Sequence, residues 1–149
     1  MILGIDTSCY TTSVALMDQE SRLICDMRRL LAVEKGARGL RQSDAVYAHT
    51  QNLPQLLDNL LQQYPAEQIT AIAVSNKPRP QDQSFMPVFT SGYGVGRILA
   101  AALHLPLLCF SHQEGHLAAA LWSAGLHWQE PFIALHLSGG TGEILQVEP

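Results

Sequence analysis

Positive charge is scarce in this sequence. Nine Lys and Arg stand against thirteen Asp and Glu, a formal net charge of −4 with His neutral. That balance argues against nucleic-acid binding driven by bulk charge and leaves only a local basic patch to serve it. Cysteine is scarce as well. Cys9, Cys25 and Cys109 are odd in number and widely spaced. They make no CxxC pair and no disulfide framework, which suits a reducing, cytoplasmic setting. No apolar run approaches the roughly 20 residues that a membrane helix needs. Met1 to Asp6 carry no basic n-region ahead of an apolar stretch, so a secretory leader is not expected. What is present is core material: 47% of the 149 residues are hydrophobic and 15% are charged. This excludes a disordered chain and suits one domain, or one lobe of something larger.

Short apolar runs broken by polar turns open the chain. Ile2 to Ile5 reads as a buried strand, Asp6 to Thr12 as a hydroxyl-rich turn, and Ser13 to Met17 and Arg22 to Leu31 as two further strands. Residues 34–43 form a loop holding Lys35, Arg38 and Arg41, the one local concentration of positive charge. Ser43 or Asp44 is the expected cap of the next helix. Leu53, Leu56, Leu57, Leu60 and Leu61 then make one apolar helical face, with a kink or second start expected at Pro54. A strand over Ile69 to Val74, a proline-rich loop to Phe89, a helix over Ser91 to His104 and a strand over Pro106 to Phe110 follow. The chain closes with a helix over His112 to Ala124, whose Leu117 to Ala120 are expected to face a core. Strands over Phe132 to Leu137 and Glu143 to Val147 end it. The order β-β-β-α-β-α-β-α-β-β predicts a mixed α/β sheet with helices packed on it. The last hairpin repeats the plan of the first. This predicts a first lobe over 1–130 and, over 131–149, the first hairpin of a second, truncated lobe.

Three features could carry chemistry. The first is His112-Gln113-Glu114-Gly115-His116. Residues four apart share a helix face, so both imidazoles can address one ion. Two His ligands suit zinc or iron(II), with a carboxylate supplied from elsewhere; two surface histidines are the plainer alternative. The Glu stands at the third place rather than the second, against a zincin helix. The second feature is a pair of polar turns after strands, one with Thr7, Ser8 and Cys9 and the other Ser138 to Thr141. Backbone N–H groups there could cradle phosphate oxygens, or the turns could be ordinary hairpins. The third is Gly92, Gly94 and Gly96, which lack the Walker lysine and the G-x-G-x-x-G spacing. They read better as small residues admitting close helix–sheet packing. His104, His127 and His136 sit singly, and each reads as an ordinary histidine.

Several segments together resemble one family. Ile2 to Cys9 with Thr12 to Ala15 is similar to its opening ILGIETSCDETSVA. Ala48 to Pro54 resembles RAHLENLP, Ile69 to Val74 resembles IDAIAV, Ser111 to Leu117 resembles NHLEGHL, and Phe132 to Gly140 resembles FLALLVSGG. The matches keep their order along the whole chain. The family is the universal tRNA threonylcarbamoyltransferase, long labelled O-sialoglycoprotein endopeptidase. The resemblance implies an RNase H-like lobe of the actin/Hsp70-like ATPase fold. It implies one divalent metal ion, iron or zinc, with His112 and His116 as two ligands and an Asp ligand from the C-terminal part. It also implies that His136, Leu137, Ser138, Gly139 and Gly140 line a substrate adenylate. tRNA is the second substrate, and other tRNA-modification subunits are conceivable partners. No membrane partner is implied.

Three departures bear on activity. Tyr10-Thr11 stands where the family has Asp-Glu. Pro78 to Gly96 replaces the glycine-rich loop. Thr141 follows Gly140 where the family has His-Thr. The metal pair and the fold signals are kept better than the chemistry around the substrate. The readings are therefore an enzyme lobe, a non-catalytic paralogue acting as a binding or regulatory partner, and a metallopeptidase, which no nucleophile–base arrangement supports. No residue is singled out as catalytic. The chain alone is expected to be inactive, to hold metal weakly or not at all, and to self-associate through residues 132–147.

Overall fold

Alternating burial builds the first sheet. In β1 (Ile2–Asp6), Leu3 and Ile5 point inward; in β2 (Thr11–Met17), Thr12, Val14 and Leu16 do so. The edge strand β3 (Leu23–Leu30) carries mostly exposed residues. The computed structural model describes every residue except 34, 35, 37, 38, 127, 139, 140 and 149, with the backbone alone at 138 and 141. Much of the basic loop and His127 therefore lie outside the described residues.

The helix α1 (Gln42–Gln63) lays Ala45, His49, Leu53, Leu56, Leu57 and Leu60 along one buried stripe. It differs from expectation at two points. Its cap is Arg41, with no side-chain cap bond, so Ser43 and Asp44 lie inside the first turn. Ser43 Oγ instead donates to Asp44. The helix also runs unbroken through Pro54. The proline only leaves the Thr50 carbonyl without its helical N–H, and burial of the leucine stripe on both sides outweighs that loss. A short 3-10 turn (Ala66–Gln68), not anticipated, leads into β4 (Ala71–Lys77). The helix α2 (Phe89–Leu103) and β5 (Leu107–Ser111) complete the layer.

The strand order is β3-β2-β1-β4-β5. β1 pairs antiparallel with β2 and parallel with β4, and β4 pairs parallel with β5. This is the RNase H-like arrangement, a mixed sheet with α1 and α2 over one face. The core joins Leu3, Ile5, Val14 and Leu16 of the meander to Ile72 and Val74 of β4 and the leucines of α1. The small-residue reading of α2 holds at two of its three glycines. Gly92 lies against Thr7 and Ile5, and Gly96 against Leu107, Val74 and Ile72, whereas Gly94 faces open space.

The chain divides into two compact units, Met1–Gln113 and Glu114–Pro149. The division falls in the first turn of α3 (His112–Ser123). In the second unit β6 (Phe132–Ser138) and β7 (Thr141–Val147) form a two-stranded antiparallel sheet. The expected burial of Leu117 to Ala120 is not found: Leu117 is half-buried and Ala118 to Ala120 are exposed. Within that unit, one hairpin offers too little surface to cover a helix face. No helix among the described residues is long and apolar enough to cross a membrane.

Candidate functional site

Three neighbouring parallel strands deliver their C-terminal ends to one place, the edge at which open α/β sheets gather their ligand-binding groups. β1 ends at Asp6, β4 carries Ser75 towards its end, and β5 runs through Ser111 into His112. The Asp6 carboxylate gathers the others. Ser75 Oγ donates to Oδ2 at 2.5 Å, the Ser8 N–H donates to Oδ1 at 2.7 Å, and His112 Nδ1 lies 3.0 Å from Oδ2. Burial pushes the Asp6 carboxyl up. The hydrogen bonds from His112, Ser75 and Ser8, with the charge of His112, outweigh it and hold the group well below the usual carboxylate range. The His112 ring also lies against the buried ring of Phe89, with centroids 6.1 Å apart. Gln113 N–H donates to the Pro78 carbonyl at 3.1 Å, anchoring the helix start.

The polar turn after β1 has other engagements. Thr7 is fully buried; its hydroxyl donates to the Val88 carbonyl at 2.8 Å and accepts from the Gly92 N–H at 3.1 Å. Ser8 is buried and Cys9 exposed, with a positive φ of 43° at Cys9. Partial burial and the Asp6 charge both push the Cys9 thiol up. Beyond the turn, Thr12 Oγ1 meets His49 Nδ1 at 2.8 Å and accepts from Asn52 at 3.1 Å. His49 is entirely buried, and its Nε2 has no hydrogen-bond partner.

His112 and His116 both belong to α3, and the helical repeat puts residues four apart on one side. In the second unit the His116 and His136 rings lie 5.5 Å apart between centroids. His136 stands opposite Glu143 in the β6–β7 register, with Nδ1 3.8 Å from the carboxylate. Leu137 is exposed, and Gly139 and Gly140 lie outside the described residues, as does the side chain of Ser138. Among the described residues no three His, Cys, Asp or Glu gather around one point that could hold a metal. The donor set nevertheless fits a divalent transition metal in part. Imidazole nitrogen suits zinc or iron(II), and His112 has the carboxylate partner that metal-ligating histidines usually carry.

Sequence reasoning did not pick out Asp6 as the partner of Ser75 and His112. The available signal was an acidic residue closing the first apolar strand, but the pairing depends on strand order, which joins residues 69 and 106 positions apart.

A family described as TsaD, tRNA N6-adenosine threonylcarbamoyltransferase, matches residues 32–148. Curated proteins of that name match nearly the whole chain. The one from Campylobacter concisus is 32% identical over 149 residues, and that from Neorickettsia sennetsu 30% over 145. These alignments take in 99% and 97% of this chain but 42% of each relative, so the chain spans less than half the length of the relatives it matches. Among solved structures, YeaZ from Pseudomonas aeruginosa superposes with a TM-score of 0.62 at 21% identity, over 99% of this chain and 64% of that one. That likeness concerns the fold alone.

Proposed function

Because this chain belongs to the tRNA N6-adenosine threonylcarbamoyltransferase family, we propose that it is one lobe of a metal-dependent enzyme forming threonylcarbamoyladenosine in tRNA. The observation that carries the reading is His112 at the C-terminal edge of the sheet, its Nδ1 3.0 Å from the Asp6 carboxylate. In this reading His112 and His116 hold one divalent ion, iron or zinc. A third, carboxylate ligand comes from outside the described residues. When bound, the ion supplies a positive centre for the phosphate and carbamoyl oxygens of an adenylate. Of the chain's own residues, Asp6 and Phe89 hold the His112 ring; an adenylate-lining role for His136 to Gly140 rests on the family resemblance alone. The lobe boundary near residue 130 and a cytoplasmic location, where tRNA is met, belong to the same proposal. Bulk charge of −4 gives tRNA no general attraction, so its docking depends on local groups or partner subunits.

A second reading keeps the fold without the reaction. It is favoured by Tyr10-Thr11 in place of the family's acidic pair and by Thr141 in place of its His. A chimera separates the two. In it, residues 1–149 replace the matching first part of the Campylobacter concisus relative. Transfer of labelled threonine to tRNA that is lost in His112→Ala supports the enzyme. A folded chimera that binds zinc and transfers nothing supports the non-catalytic paralogue. The 149-residue chain by itself is expected to transfer nothing in either case.

A further inference from the structure

We infer that β3, an edge of the five-stranded sheet, pairs antiparallel with β3 of a second copy of this chain, and that Asp26 and Arg28 set the register.

β3 ends the strand order, and among the described residues no strand lies on its outer side. Such an edge offers unpaired N–H and C=O groups to another chain. The ladder with β2 shows which groups these are. The Leu31 N–H donates to the Tyr10 carbonyl at 2.8 Å, one step beyond the Thr11–Leu30 pair. Hydrogen-bonded and non-hydrogen-bonded pairs alternate along an antiparallel ladder. Cys25, Met27 and Arg29 therefore turn their backbone groups to β2, and Asp26, Arg28 and Leu30 turn theirs outward. The side chains divide in the same way. Cys25 and Met27 pack against the core, and Arg29 reaches Asn52 and Gln55 of α1. Asp26, Arg28 and Leu30 lie on the other face, with Leu30 77% exposed.

A two-fold axis through Met27, perpendicular to the sheet, places Asp26 opposite Arg28 of the second copy and Arg28 opposite its Asp26. Opposite charges facing each other across two strands are stabilising. A slip of two residues either way sets Asp26 against Asp26 or Arg28 against Arg28, which is destabilising. A slip of one residue faces outward backbone groups with groups already bonded to β2. Charge complementarity thus selects a single register. Charged side chains on an edge otherwise guard it against such pairing. Here Arg28 is neutralised on its own strand by Asp26, Nε to Oδ1 at 2.9 Å and Nη2 to Oδ2 at 2.5 Å, so no uncompensated charge meets the incoming strand. The β2–β3 register slips at Ile24, whose carbonyl accepts from the Tyr64 hydroxyl at 3.5 Å. Pairing stops short of that end, so the contact is small and the dimer weak.

The test is sedimentation equilibrium of the full chain carrying Leu135→Lys and Ile144→Lys, which remove the apolar hairpin face as a second cause of association. With β3 unchanged, this protein should dimerise at high concentration. Asp26→Arg alone and Arg28→Asp alone each set like charges opposite one another in both symmetric pairs, and each should weaken the dimer about tenfold or more. Mixed in equal amounts, the two variants should associate at least as tightly as unchanged β3 does with itself, because every cross-strand pair is again of opposite charge. Circular dichroism establishes that each variant is folded. Met27→Cys, on the axis, should form a covalent dimer through that residue under oxidised glutathione, since the Cα atoms of a non-hydrogen-bonded pair stand about 4.5 Å apart; it carries the test if either charge variant does not fold. A monomeric protein with unchanged β3 overturns the inference. So do single charge variants that dimerise undiminished, a mixture no better associated than its components, or a Met27→Cys protein that oxidises only through its other cysteines.

Discussion

Thr7 and Gly92, 85 residues apart in the chain, meet at full burial: the Gly92 N–H donates to Thr7 Oγ1 at 3.1 Å. The contact locks the start of α2 onto the turn that follows β1. It needs a residue with no side chain, because a Cβ on Gly92 would stand 2.9 Å from Thr7 Oγ1 and 3.2 Å from its methyl group.

Gly92→Ala should therefore destabilise the fold even though alanine favours helix. Overpacking of this kind costs about 1–3 kcal/mol, more than the roughly 1 kcal/mol that alanine gains over glycine in a helix. Urea denaturation should show a lower midpoint. Gly94→Ala on the open side of the same helix should raise it. Equal midpoints for the two variants would refute the packing account.

His49 should make stability depend on pH. Burial pushes its pKa below the usual value, while the Cys9 backbone and the Asp6 charge pull the other way without cancelling it. The unfolded ring titrates near about 6.5. Below that pH the unfolded chain takes up a proton that the folded ring resists, so stability falls as pH drops. The urea midpoint should hold steady above about pH 7 and decline through the range below it. His49→Gln should flatten that decline. A decline of the same steepness in His49→Gln would assign it to other groups.

The β6–β7 hairpin should drive association of the 149-residue chain. Ile133, Leu135, Leu137 and Ile144 are each about two-thirds exposed or more, and an apolar face beside free strand edges is an association hazard. Light scattering after gel filtration should report species larger than a monomer at high concentration. Leu135→Lys with Ile144→Lys should shift them towards the monomer. A strictly monomeric wild type would remove the hairpin from consideration.

The metal pair admits a direct test. Titration with zinc or iron(II) should show weak binding to the wild type, because two imidazoles without a third protein ligand make an open site. Binding should disappear in His112→Ala and in His116→Ala alike. Equal affinities in all three proteins would leave two ordinary helix histidines.

Local periodicity determined a good deal of this protein. Thr12, Val14 and Leu16 alternate as a strand one face of which is buried, and the leucines from Leu53 to Leu60 repeat as a helix, so element types and the mixed α/β class were legible without any contact. The spacing of His112 and His116 was likewise enough to place both on one helix. Helix ends were less legible: Ser43 looked like a cap, but burial of Ala45 and the stripe beyond it began the helix at Gln42. Only tertiary structure could decide the surroundings of the site. Placing β1 between β2 and β4 brought Asp6 beside Ser75, and placing β5 next to β4 brought His112 to the same carboxylate. Likewise, only the packing of α2 against the turn after β1 decided that the Thr7 hydroxyl is engaged by both the Val88 carbonyl and the Gly92 N–H. Periodicity is a property of neighbours along the chain, whereas a hydrogen bond across 106 residues depends on which strands lie side by side, and that is settled by burial of the sheet as a whole.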